Sequence, residues 1–177
     1  MNIPAYIYNT GSKFDSYVTS VAGSEKTEVV YGTSNVLNTE IQFFSNASLK
    51  VDTCMEYTRP SLALGIESIR KSFLDAKERD VKLRYITEIT TENISYCKEL
   101  MKIADVRHLD GIKGNFMVSD KEYLAPASNN TSNIASQIIY SNLHEIVEQQ
   151  QYIFETLWNK VIPSEQRIRE VEAYTPC

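Results

Sequence analysis

The chain is poor in the residue types that most often announce a function. Three cysteines occur among 177 residues, Cys54, Cys97 and Cys177. They have no metal-ligand spacing, and their odd number does not suit a closed disulfide framework. Cys54 lies in an apolar run and Cys97 in a helical pattern, so both read as buried free thiols of a reducing, cytoplasmic compartment. The two histidines, His108 and His144, are isolated from each other, so neither a metal site nor a cofactor is expected. Basic residues are in deficit, eighteen against twenty-three acidic, for a net charge of −5. That balance argues against a nucleic-acid partner, whose binding face usually carries a basic excess. No segment approaches the roughly 18–20 apolar residues of a membrane helix. The polar N-terminus lacks the basic start and apolar core of a secretion signal. A soluble protein without a membrane partner follows.

What is present fits one domain with a real core, since 42% of the residues are hydrophobic. Residues 1–28 are polar and rich in Ser, Thr and Gly, and read as a flexible arm. After Val29-Val30-Tyr31, Ser34 and Asn35 offer caps for a helix ending near Ser48. Leu49, Val51 and Met55 alternate as in a strand. Thr58-Arg59-Pro60 opens a helix whose apolar positions Leu62, Ile66, Ile69 and Phe73 share one face as far as Arg79. A strand over 81–88, a helix over 91–104, a strand over 105–109 and a hairpin around Asp120-Lys121 follow. Then come a polar loop over 126–133, a last strand over 137–140 and a long helix from Asn142 to at least Lys160. Pro163 begins a further helical piece. This order predicts an α/β fold: a mixed sheet with flanking helices and a long C-terminal helix.

Ligands of α/β sheets collect beyond the carboxyl ends of the parallel strands. Here those ends carry Arg59, Glu88, Arg107, His108, Asp110, Lys113 and Asn115, a set expected to bind a small anionic ligand. His108 beside Asp110 has the composition of an acid–base pair. In the long helix Leu143, Val147, Gln150, Phe154, Leu157 and Val161 recur in a seven-residue pattern. Such a face either packs on the sheet or continues through Ile168 and Val171 into a dimerising connector.

Residues 113–120, Lys-Gly-Asn-Phe-Met-Val-Ser-Asp, stand on a short strand entering a turn. They resemble the His-x-Lys-x-x-x-x-Asp signature of phospholipase D-like enzymes with Lys113 at the nucleophile, Asn115 at the phosphate-binding lysine, and Asp120 kept. Residues 81–88, 105–120 and 137–158 together resemble one half of that fold over roughly residues 29–160. More narrowly, Thr58-Arg59-Pro60-Ser61, Arg84-Tyr85-Ile86-Thr87-Glu88, residues 107–116 and residues 148–152 resemble the N-terminal sensory module of archaeal sensor histidine kinases from ammonia-oxidising lineages. The resemblance implies a non-catalytic, cytoplasmic signal-input domain over 29–160, working as a homodimer through its C-terminal helix. Residues 161–177 would then start a connector to an output region, with Cys177 a boundary rather than a natural end. A working site of this fold joins two motif copies, and the chain holds one. The alternatives are a divergent phosphodiesterase using His108 with Asp110, and an effector or dimerisation domain of a transcription regulator.

Overall fold

The structure, a computed structural model, describes residues 24–127 and 135–173. Most of the expected arm therefore lies outside the described residues, but its last part is ordered: β1 begins at Thr27 and runs to Tyr31. The remaining elements are α1 (Thr33–Asn46), β2 (Lys50–Cys54), α2 (Arg59–Gly65), α3 (Glu67–Glu78), β3 (Lys82–Thr87), α4 (Ile94–Leu100), β4 (Asp105–His108), β5 (Phe116–Ser119), β6 (Tyr123–Ala127), β7 (Gln137–Ser141), α5 (His144–Trp158), β8 (Ile162–Pro163) and α6 (Ser164–Ala173). Among the described residues the strands form one sheet in the order β1-β7-β6-β5-β2-β3-β4-β8. Strands β2, β3 and β4 are parallel, and every other pairing is antiparallel. The mixed α/β sheet expected from the sequence is the observed one.

Alternation along β2 and β3 assigns the two layers. Val51, Leu83 and Tyr85 face a core shared with Phe43, Phe44, Phe73 and Leu100. Cys54, Ile86 and Val118 face the other way, onto Val147, Phe154 and Trp158 of α5. The seven-residue pattern of α5 thus packs on the sheet, and Val147, Phe154 and Trp158 are its buried positions. Ile168 does not continue into a free connector, because it closes a third apolar cluster with Ile89 and Cys97; Val171 is buried too. Both described thiols are free and buried, as the sequence implied, and burial pushes Cys54 and Cys97 up to about 12.

Two features depart from the sequence reading. The helix expected from Pro60 to Arg79 is broken at Ile66, whose ψ of 107° is extended. Gly65 just before it is a poor helix former, so continuation costs more there than elsewhere. The second departure is β8. Ile162 and Pro163 add to β4, and the Ser164 hydroxyl donates to the Val106 carbonyl, so the expected connector begins as part of the sheet. No helix among the described residues is long and apolar enough to cross a membrane.

Candidate functional site

The motif-like segment 113–120 crosses the sheet from one end to the other. Strand β5 runs antiparallel to β2, with Cys54 opposite Phe116 and Val51 opposite Ser119. Lys113 and Asn115 therefore lie at the carboxyl end of β2, and Asp120 lies at its amino end. Gly114, at a φ of 93°, supplies the left-handed turn between them that a side chain would resist. Asn115 then closes on the segment after β2. Its Oδ1 accepts from the Glu56 N–H at 3.0 Å, and its Nδ2 donates to the Glu56 carboxylate at 3.2 Å. The Arg59 Nε donates to that same carboxylate at 3.3 Å. Arg59 is 7% exposed, so the pair is largely withdrawn from water. Lys113, in contrast, is exposed and makes no ion pair among the described residues.

Asp120 works far from this edge. Its Oδ1 accepts from the backbone N–H groups of Ser48 and Leu49 at 3.0 Å and of Lys50 at 3.4 Å. Burial raises its pKa, but those backbone donors outweigh burial and hold the carboxyl below its ordinary value. Asp120→Ala is expected to cost about 1–3 kcal/mol in urea denaturation at neutral pH, since several donors lose their acceptor. Because the folded pKa is depressed, this contribution is full above the unfolded pKa and is lost as pH falls through the folded one. The gap between the variant and its parent should therefore close in acid. A gap that stays constant would show that the carboxylate charge is not what holds these donors.

The remaining expected site residues separate into different environments. His108 is 2% exposed. Its Nδ1 accepts the Ile89 N–H at 2.9 Å, so its proton sits on Nε2, which donates to Asp110 at 3.0 Å. Burial lowers the His108 pKa, and Asp110 pulls against that shift. The imidazole is neutral with both nitrogens engaged, and no lone pair is left for a substrate proton. Arg107, next on the strand, must point to the opposite face. Its guanidinium lies 4.1 Å from the Trp158 ring and 3.4 Å from Asp105. Glu88 accepts the Gly111 N–H at 3.2 Å and so pins the loop after β4. The seven residues share the carboxyl edge of the sheet without converging on one pocket.

Asn93 and Trp158 went unnoticed in the sequence. The Asn93 amide donates to the carbonyls of Tyr57 and Glu88 at 2.7 and 2.8 Å and so joins the exits of β2 and β3. No spacing signal marks Asn93, because its partners lie in distant segments, whereas Trp158 follows Phe154 by four positions on the buried face of α5. Among the described residues no three His, Cys, Asp or Glu side chains gather as a metal ion would need.

Neither a family model nor a curated protein matches the chain. Solved structures do. Nuc, a phospholipase D family member from Salmonella typhimurium, superposes with a TM-score of 0.62 at 12% identity, covering 79% of this chain and 98% of Nuc. NucT from Helicobacter pylori gives a TM-score of 0.59 at 15% identity, covering 79% of this chain and 99% of NucT. The fold is phospholipase D-like. The same fold likeness extends to TrmBL2, an archaeal chromatin protein with a novel mode of DNA binding. There the TM-score is 0.57 at 19% identity over 82% of this chain, which spans 56% of TrmBL2.

Proposed function

We propose that this chain is a non-catalytic signal-input domain, a single phospholipase D-like half that binds a small anion at its carboxyl edge. One observation carries the reading: Asn115, at the position of the phosphate-binding lysine, spends both ends of its amide on Glu56. Lys113, at the nucleophile's position, offers an exposed amine where that chemistry uses an imidazole. The phosphodiesterase alternative fares worse, since His108 is buried and offers no free nitrogen. The sequence resemblance to sensory modules of histidine kinases suggests a kinase as the output. Homodimer pairing would use the outer side of α5, where Tyr152 is 75% and Ile153 37% exposed, because the inner side is already occupied.

A second reading, as the effector domain of a transcription regulator, draws on the likeness to TrmBL2. It uses the same binding chemistry with a different output.

Inorganic phosphate in a thermal-shift titration separates binding from turnover. The expected result is a raised melting temperature in the parent chain, lost in Lys113→Ala, and no hydrolysis of bis(p-nitrophenyl) phosphate. At a hundredfold excess over its dissociation constant a ligand adds about 2.7 kcal/mol, well within reach of such a titration. Steady hydrolysis abolished by His108→Ala would instead establish the phosphodiesterase.

A further inference from the structure

The face of the sheet opposite α5 carries an apolar cleft, closed by the helices α1, α2 and α3 and lined mainly by Phe44, Leu62, Ile69, Phe73 and Met117. About 60 Å³ of it admits the centre of a water-sized sphere. One water needs roughly 10–15 Å³ of such space, so the cleft has room for a handful of waters or for one small ring in their place. A nucleotide or a peptide is too large. The lining favours a guest that brings hydrocarbon out of water.

Two polar side chains meet this lining with their hydrogen-bonding capacity unspent, Thr53 and Glu40. Thr53 is 1% exposed, and its hydroxyl has no hydrogen-bond partner. An orphaned hydroxyl at a cleft is costly unless something in the cleft completes it. Glu40, on α1, is partly buried, and its carboxyl makes no hydrogen bond or ion pair among the described residues. Burial pushes that carboxyl up to about 7, with Arg59 pulling it down. Arg59 itself is already engaged, its Nε donating to Glu56. The wall therefore presents no uncompensated charge near neutrality, and a charged guest would give up its water with nothing opposite to meet.

We infer that the cleft is a binding site for a small neutral molecule with one hydroxyl on an apolar body, the hydroxyl on Thr53 and Glu40 and the hydrocarbon against Phe44, Leu62 and Phe73. A hydroxyl both donates and accepts, so it matches either state of the carboxyl. It donates to an ionised Glu40 while accepting from Thr53, and it accepts from a protonated Glu40 while donating to Thr53. Hydrocarbon alone would gain the apolar lining but leave Thr53 orphaned. The site shares no residue with Lys113 and Asn115, and it stands whether or not that edge binds phosphate.

Isothermal titration of the full chain with phenol and cyclohexanol tests this, with toluene and benzoate as controls of similar size. Phenol should bind, and toluene should bind about fivefold more weakly, the worth of a neutral hydrogen bond. Benzoate should bind more weakly still. Thr53→Val keeps the shape and removes an unpartnered hydroxyl, so resistance to urea should not fall. Phenol affinity should nevertheless drop about fivefold, to the level of toluene, whose own affinity should not change. Ala63→Phe, which fills the cleft, should abolish binding of both, and Lys113→Ala should leave both unchanged. Four results overturn the inference: no heat from phenol or cyclohexanol with folded protein, toluene binding as tightly as phenol, benzoate binding more tightly than phenol, or phenol binding that a folded Thr53→Val variant leaves unchanged.

Discussion

Replacing Arg84 with methionine is expected to cost about 3–5 kcal/mol, the toll of leaving a buried charge without its partner. The charge in question is Asp52, which is 0% exposed at the centre of β2. Arg84 answers it with two parallel bonds, Nε to Oδ1 at 2.7 Å and Nη2 to Oδ2 at 2.9 Å, and donates also to both oxygens of Glu155 on α5. Burial disfavours the guanidinium charge, but the bonds to Asp52 and Glu155 more than offset it and hold the pKa above its ordinary value. Lys50, whose Nζ is 3.4 Å from Asp52, keeps a longer ion pair with it but cannot replace the two parallel bonds. Urea denaturation measures the loss. The double variant Arg84→Met with Asp52→Leu should recover most of it, because two apolar groups then meet where two charges met. A single-variant loss below about 1 kcal/mol would mean that Lys50 compensates and that the pair is not essential to the fold.

Phe154→Ala should be nearly as damaging, at about 3–5 kcal/mol. Phe154 is 0% exposed and joins three layers of contact. Its ring stacks on Trp158 at 5.5 Å, meets Phe116 edge-on at 6.5 Å and lies 4.8 Å from the Arg84 guanidinium. Truncation leaves a cavity under α5 and also removes the aromatic face that shields the Arg84 charge. The two variants touch the same contacts, so their combined loss should fall short of the sum. Strict additivity would show that the ring and the guanidinium are energetically independent despite their spacing.

Much of this architecture was legible because it is local. Leu62, Ile69 and Phe73 step at helical spacing, and Val51 and Leu83 sit on strands that alternate, so element types followed from period alone. The hairpin around Asp120-Lys121 was legible too, because a short strand on each side of a turn is a local pattern. The helix break at Ile66 was less visible, because the apolar face continues across it. Strand β8 was invisible, because two residues hold no periodicity. The candidate site was misjudged for a different reason. Arg107 and His108 were grouped as lining one pocket, yet neighbours on a strand point to opposite faces. Glu56 binding Asn115 across 59 positions of sequence is a tertiary fact that no local pattern carries.

The short pairing of Ile162 and Pro163 with β4 changes how force would travel through the molecule. The chain leaves α5, is stitched to the strand bearing Arg107 and His108, and only then enters α6. Tension applied beyond α6 would therefore load β4, through its pairing with Ile162 and Pro163 and the Ser164 bond to Val106, before it could disturb α5. Strand β4 is the fulcrum, and the carboxyl edge of the sheet lies at its tip.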